Sequence, residues 1–260
     1  MGKKKIRLVH TSDVHLGVDW RADLSERAFS RVIESVGLLE ADALLVVGDV
    51  FDHARVPDRV LEFYLEQIGR LQCPVVTLPG NHDLYHEDSL YLREPFLDAP
   101  PNFCLFEDWA GQTISLPELG LDLWGRAMSQ HTPEFSPLAG MPKAAQGHWQ
   151  VALAHGHFHF PEDRDQRSSP IWPEEVADAP CDYLALGHWE RHVEVSQRDT
   201  VAFYSGSPLG ASPDDEHISV NLAELDPETG VNVRQVFLSL DDDPGVHPIN
   251  ASEIAAGGVR

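Results

Sequence analysis

Short apolar runs and amphipathic stretches alternate along the first part of the chain. Apolar runs rich in β-branched residues predict buried strands at residues 6–11, 44–47 and 75–78. Between them, apolar side chains recur at helical spacing over residues 24–36 and 60–71, with Asp23 as an N-cap and Pro57 as a first helical residue. This order of elements predicts two βαβ units with parallel strands.

The later part of the chain is less regular and becomes an all-β pattern. Residues 84–112 predict short helices and loops, and the Pro/Gly-rich residues 129–148 predict a surface loop. Alternating or apolar runs predict strands at residues 113–116, 121–125, 149–155, 183–186, 192–195, 201–204, 218–225 and 231–238, with a short helix at 173–177. We expect residues 1–240 to form one domain and residues 241–260 to form a flexible C-terminal tail.

Potential metal ligands follow the carboxyl ends of five predicted strands. They are, in chain order, Asp13, His15, Asp49, Asn81, His82, His155 and His188. Each alone has an ordinary explanation, as a turn former or a hydrogen-bonded core histidine. Because parallel strands bring their carboxyl ends to one edge of a sheet, the combination favours a common site. Carboxylate, imidazole and amide donors suit manganese, iron or zinc, and three scattered cysteines offer no thiolate cluster.

These motifs resemble, in type and order, those of the calcineurin-like metallophosphoesterases. The motifs are Asp13-x-His15, Gly48-Asp49-x-x-Asp52, Gly80-Asn81-His82-Asp83, His155 and Gly187-His188. The resemblance extends over residues 6–240, and the segments 10–17, 48–52 and 203–208 are most similar to SbcD-type DNA repair exonucleases. It implies a four-layer α/β/β/α sandwich, with residues 1–240 as the catalytic domain and a dinuclear metal site at the strand carboxyl ends.

The resemblance also implies a role for each motif residue. Two divalent ions, manganese first and iron or zinc as alternatives, would share Asp49 as a bridging ligand. Asp13 and His15 would hold the first ion, and the second would be held by Asn81, His155 and His188. A hydroxide on the metals would attack phosphorus.

The same family implies that His82 acts on the leaving group. It would protonate the leaving oxygen or stabilise phosphoryl charge, with Asp83 orienting its ring. We therefore assign His82 and Asp83 to the catalytic machinery, and expect Asp52 and His53 to surround the ligands.

The last motif departs from the family pattern Gly-His-x-His, because here it reads Gly187-His188-Trp189-Glu190. We predict that Glu190 replaces the second histidine as a ligand of the first metal, since carboxylates bind manganese and iron well. His192 is the alternative ligand. The remaining possibility is that the first metal is not bound tightly. His157 and His159 could substitute for His155, although a loop role is favoured.

The charge balance bears on the substrate. The chain has 19 basic and 42 acidic residues and a formal net charge of -23, so it lacks the basic character usual in nucleic-acid-binding proteins. The acid excess also has ordinary explanations, as a soluble surface or an adaptation to salt. Arginines near predicted loops could offset it only if they cluster; they are Arg21, Arg55, Arg93, Arg126 and Arg191.

We expect a metal-dependent phosphodiesterase that favours small esters or nucleotides. The alternatives are an SbcD-like nuclease acting on DNA and a non-catalytic interaction module on a degenerate metal site. No signal peptide or membrane-length apolar run is visible, so the sequence predicts a cytoplasmic protein without a membrane partner.

Overall fold

Two six-stranded sheets lie face to face in the computed structural model, which describes residues 2–19, 22–143, 147–210 and 217–240. The first sheet contains β1 (Ile6–Thr11), β2 (Ala43–Val47), β3 (Val75–Leu78), β4 (Phe103–Leu105), β13 (His217–Asp226) and β14 (Gly230–Ser239). The second contains β5 (Gln112–Leu116), β6 (Leu121–Gly125), β7 (Trp149–His155), β10 (Tyr183–Gly187), β11 (Val193–Glu194) and β12 (Val201–Tyr204). The predicted tail, residues 241–260, lies outside the described residues.

Helices and a short ribbon cover the outer faces of the sheets. The helices are α1 (Ala22–Leu38), α2 (Asp58–Gly69), α3 (Glu94–Leu97) and α4 (Pro173–Ala177), and 3₁₀ turns span Leu90–Leu92 and Pro117–Leu119. The parallel ribbon pairs β8 (His157–Phe158) with β9 (Pro170–Ile171). No helix within the described ranges is long and apolar enough to cross a membrane.

The strand order places the predicted βαβ units at the centre of the first sheet. That order is β14-β13-β1-β2-β3-β4, and the second sheet runs β11-β12-β10-β7-β6-β5. Pairs β1–β2 and β2–β3 are parallel, as predicted, and so are β7–β10 and β10–β12. The carboxyl ends of these strands therefore point to one edge of the molecule.

Successive side chains of β2 point to opposite faces of the sheet, and this alternation shows how the layers form. Leu44 and Val46 pack with α1 and α2, whereas Leu45 and Val47 pack between the sheets. On the far side of the second sheet, Val176 of α4 is buried together with the ribbon and the loop before β7. The sequence of layers is helix, sheet, sheet and helix, which confirms the predicted α/β/β/α sandwich.

Three details differ from the sequence prediction. Residues 103–105, predicted as part of a loop region, form the edge strand β4 beside β3, where three residues are too few to show a periodic pattern. Pro57 is the N-cap of α2, which begins at Asp58. Asp23 lies within the first turn of α1 and not before it. Such one-residue shifts at helix ends are common.

Candidate metal centre

The loops after the parallel strands are joined to one another by hydrogen bonds. Asp13 N donates to Gly48 O (3.0 Å) and His15 N donates to Asp49 O (3.0 Å), so the loop after β1 runs beside the loop after β2. Across the two sheets, His188 N donates to Asp13 Oδ2 (3.0 Å). The strand ends of both sheets therefore meet at one place.

A glycine precedes three of the predicted ligands, and the packing explains why. A Cβ on Gly187 would lie 1.8 Å from Val47 O, and one on Gly80 would lie 2.3 Å from Asp49 Oδ1. A Cβ on Gly48 would lie 1.9 Å from His155 Nδ1, at a backbone φ of +83°. A side chain at Gly48 or Gly187 would force the two sheets apart, and one at Gly80 would force the loops after β2 and β3 apart, so glycine is needed for the strand ends to approach.

The backbone at the strand ends is strained at several predicted ligands. Positive φ angles occur at Asp13 (53°), His15 (51°), Asp49 (51°) and His188 (104°). Only seven non-glycine residues in the described part of the chain have a positive φ, and these are four of them. Strain of this kind costs stability and is typical of functional sites, where it directs side chains toward a common centre.

One group of donor atoms joins the two sheets. His155 Nε2 lies 3.3 Å from Asp49 Oδ2 and 3.1 Å from Asn81 Oδ1. His188 Nδ1 lies 2.9 Å from the same Asn81 oxygen. His155 turns its Nδ1 to Val47 O at 3.0 Å, so its Nε2 is left for the centre. Nitrogen and oxygen atoms that converge in this way are suited to hold a cation.

A second group lies on the first sheet and shares Asp49 with the first group. The donor atoms of Asp13, His15 and Asp49 lie within 4.8 Å of one another, as do those of Asp49, His155 and His188. A further group of His15, Asp52 and His82 adjoins them. His15 Nδ1 lies 3.2 Å from Asp52 Oδ1, although the alignment makes no hydrogen bond. Asp49 is the residue common to both of these groups, so its carboxylate could be shared by two neighbouring cations.

Burial and mutual charge set the protonation of these groups. Burial lowers the pKa of His155, but the charge and hydrogen bond of Asp49, the charge of Asp13 and the hydrogen bond with Val47 O together outweigh burial and raise that pKa to about 9. Burial and the charge of His155 lower the pKa of His188 to about 3. Burial raises the pKa of Asp13. Burial has the same effect on Asp49, but the charge and hydrogen bond of His155 and the charges of His82 and His15 together outweigh burial and lower the pKa of Asp49. Buried carboxylates so close together favour positive charge between them, and the residues therefore fit two divalent cations.

His82 lies at the exposed rim of this cluster. Its backbone N donates to Asp49 Oδ1 (2.8 Å), and its ring packs edge-on to His15 with 4.7 Å between centroids. Burial lowers the pKa of His82, but the charge of Asp49, the hydrogen bond with Asp52 O and the charges of Asp52 and Asp83 together outweigh burial and raise it. The imidazole can therefore reach a ligand in solvent while staying close to the donor groups.

The sequence predicts that Asp83 orients the ring of His82, but the structure places the Asp83 carboxylate against other groups. His82 Nδ1 lies 2.6 Å from Asp52 O, so a backbone carbonyl orients the ring. The fully buried Asp83 carboxylate instead accepts hydrogen bonds from four groups: Val50 N (2.8 Å), Phe51 N (3.3 Å), Gly80 N (2.7 Å) and Tyr91 Oη (2.8 Å). Because these backbone donors come from the loops after both β2 and β3, the carboxylate of Asp83 holds the two loops together.

Neither residue predicted to replace the last histidine joins the donor groups. Glu190 is exposed, and no group found among the described residues includes its carboxylate. His192 Nδ1 lies 2.7 Å from Asn221 Oδ1, where the ring is bound to β13. The role of Glu190 as a ligand of the first metal stays a prediction.

Other histidines lie beside the centre. His157 and His159 follow β7, but His157 Nδ1 accepts from Trp189 Nε1 (3.2 Å) and His159 stacks on Trp172. His131 was not predicted from the sequence, and its ring centroid lies 5.4 Å from that of His188. His131 is a lone histidine in an irregular loop, so no periodicity or motif marks it before the chain folds.

The chain is similar in sequence to known proteins. Residues 6–192 match the model of the calcineurin-like phosphoesterase family. The chain is 26% identical over 287 residues to the SbcD component of the nuclease SbcCD of Bacillus subtilis (strain 168), covering 90% of this chain and 70% of that protein. It is 27% identical over 113 residues to the 3',5'-cyclic adenosine monophosphate phosphodiesterase CpdA of Haemophilus influenzae, covering 41% of this chain and 40% of that protein.

A solved structure supports the fold alone. It is described as a novel archaeal phosphodiesterase, and it superposes with a TM-score of 0.50 at 14% identity, covering 90% of this chain and 100% of that chain. Together with the family match, these relatives confirm the resemblance that the motifs indicate.

Proposed function

The chain belongs to the calcineurin-like phosphoesterase family, and from this membership we propose that it is a two-metal phosphodiesterase favouring small esters or nucleotides. The family places the chain among hydrolases of phosphoester bonds. The observation that carries the proposal is the convergence of donor atoms from both sheets around Asp49, with two groups each within 4.8 Å.

The proposed ligands divide between two ions. Asp13, His15 and Asp49 would hold the first, while the second would be held by Asp49, Asn81, His155 and His188. When bound, divalent ions such as manganese would neutralise charge on the phosphoryl oxygens and lower the pKa of water. The protein's own part is to keep these donors fixed, through the contacts of Val47 O with His155 and of His188 N with Asp13.

His82 is the proposed general acid. Its exposed ring is held at Nδ1 by Asp52 O, so Nε2 remains free for the leaving oxygen. A positioned proton donor of this type contributes roughly 10²- to 10⁴-fold to a rate. Asp83 would act indirectly, by holding the loop that carries His82.

Charge supports small esters over duplex DNA. Two arginines near the predicted loops already have partners, because Arg93 binds Asp58 and Val56 O, and Arg126 binds the carbonyls of Trp109 and Ser136. Arg55 and Arg191 are exposed, and Arg21 lies outside the described residues. With a net charge of -23, the chain as a whole would repel a long polyanion.

The deciding experiment measures hydrolysis of an aryl phosphodiester by chelator-treated and manganese-reloaded protein. We expect activity to disappear on metal removal and to return with manganese. His82→Ala should lower kcat while keeping the metal content. The loss of kcat should be smallest for substrates whose leaving group needs no proton. His86→Ala, at an exposed histidine in the same loop, is the matched control. Full activity in metal-free protein would contradict the proposal.

An SbcD-like nuclease is the second candidate. It is favoured by the match to the SbcD component of the nuclease SbcCD, which covers most of this chain. Efficient cleavage of duplex DNA at low salt, beside weak turnover of small diesters under the same conditions, would favour this candidate over the first.

A further inference from the structure

A cluster of aromatic rings lies next to the candidate metal centre, outside the sheets' inner core. We call it the aromatic cluster; its members are His157, His159, Phe160, Trp172, Trp189 and Tyr204. Trp189 stacks on Tyr204 with 4.4 Å between centroids and an interplanar angle of 11°. Trp172 stacks on the buried ring of His159, also at 4.4 Å. The cluster therefore contains two stacked pairs of rings, Trp189 on Tyr204 and Trp172 on His159.

A continuous path of ring contacts joins this cluster to the metal centre. His188, a proposed ligand, lies 6.2 Å from His157, measured between ring centroids. His157 lies 5.4 Å from Trp189, and Trp189 lies 5.6 Å from Phe160. These contacts place the aromatic cluster on the side of the centre that His188 occupies.

Two rings of the cluster remain open to solvent. Phe160 is 39% exposed and Trp172 is 40% exposed, although both have ring partners on the protein side. Contiguous exposed apolar surface, unlike a single exposed side chain, marks sites for ligands or partners. Their position favours a flat, apolar partner.

A cavity of about 320 Å³ adjoins Phe160. Its apolar lining comes from Phe158, Phe160, Pro161 and Pro173, and its polar lining includes Glu194, Ser196 and Gln197. Apolar walls with a few polar groups are typical of sites for small planar ligands, and the volume is at the lower end of their range. The carboxylate of Glu194 disfavours a second phosphate there, whereas a neutral ring would be accepted.

We propose that the exposed rings of Phe160 and Trp172, with the cavity beside Phe160, form a subsite that binds the nucleobase of a phosphodiester substrate. The inference rests on the proposed phosphodiesterase function and names its substrate class as nucleotide diesters. Stacking suits an acidic chain, because every base has a π-face and none needs a protein cation. The adjoining segment 161–169 has two arginines against three carboxylates, so it supplies no net positive charge for a polyanion.

The test compares two substrates with one leaving group. Thymidine 5'-(p-nitrophenyl phosphate) and methyl p-nitrophenyl phosphate both release p-nitrophenolate, so the ratio of their kcat/KM values isolates the nucleoside. In Phe160→Ala/Trp172→Ala we expect this ratio to fall roughly 5- to 100-fold, as for the loss of a base-stacking side chain. Phe160→Leu, which keeps an apolar side chain without a ring, should lower the ratio in the same direction. Trp109→Ala is the matched control, because Trp109 is 63% exposed and lies outside the aromatic cluster.

A binding measurement keeps the inference separate from catalysis. Tryptophan fluorescence of the manganese-loaded protein should show tighter binding of thymidine 5'-monophosphate than of methyl phosphate, and the double variant should lose the difference. If neither diester is hydrolysed, the proposed function fails while this titration still decides the subsite. An equal substrate ratio in wild type and variants, or equal binding of the two phosphates, would overturn the inference.

Discussion

Replacing the buried carboxylate of Asp83 tests how the loops around the metal centre are held. Asp83 accepts hydrogen bonds from three backbone N–H groups after β2 and β3 and from the hydroxyl of Tyr91. The carboxylate only accepts, so each of its four partners is satisfied by the ionised form. Asp83→Asn changes one acceptor oxygen into an NH₂ group at almost constant volume.

The geometry gives the expected magnitude. The amide oxygen can keep the contacts with Val50, Phe51 and Tyr91, which share Oδ2. The NH₂ group then faces Gly80 N, which loses its acceptor at 2.7 Å. An unsatisfied buried donor costs about 1–3 kcal/mol, and the remaining bonds lose the assistance of a charge. We expect the free energy of unfolding to fall by about 3 kcal/mol.

Urea unfolding of the metal-free protein, followed by tryptophan fluorescence, measures this change without any contribution from bound metal. Tyr91→Phe removes a single donor and should cost about 1 kcal/mol. If Asp83→Asn unfolds within about 0.5 kcal/mol of wild type but loses most of its kcat, the structural role is refuted. Asp83 would then belong in the catalytic machinery, as the sequence predicts.

Three further predictions concern the ligands and the core. Asp49→Ala should remove both metals, whereas His15→Ala should remove only one; elemental analysis that finds two ions in the Asp49 variant contradicts a shared carboxylate. Glu190→Ala should lower the metal content toward one ion per chain, and Glu190→His should preserve it; an unchanged metal content would show that Glu190, which is exposed and outside the donor groups, does not close the first site. Burial lowers the pKa of His10 from 6.5 to about 3. As the pH falls between these two values, the unfolded chain gains a proton at His10 and the folded chain does not. The free energy of unfolding should therefore drop by about 1.4 kcal/mol per pH unit over this range. His10→Gln should show a shallower decline in acid unfolding, and an unchanged slope would refute this assignment.

Much of the fold could be predicted from local patterns. Local sequence was sufficient to predict the strands β1, β2, β3 and β7 and the helix α2. Their apolar runs and amphipathic face are formed by side chains that are close together in sequence, and the predictions used the same side chains. The edge strand β4 could not be predicted in this way, because its three residues show no pattern of their own and form a strand only by pairing with β3.

The candidate site divides in the same way. The sequence alone determined which residue types follow each strand, because Gly48-Asp49, Gly80-Asn81 and Gly187-His188 are contiguous motifs at the ends of apolar runs. Only the tertiary structure decided what each side chain contacts. Asp83 is adjacent to His82 in the chain, yet its carboxylate turns to the backbone after β2, where the buried donors are. Glu190 fits the motif by spacing, yet its side chain is exposed, and His131 reaches the centre from a loop without any pattern. Contacts between residues far apart in sequence depend on how two sheets pack, and no local pattern encodes that distance.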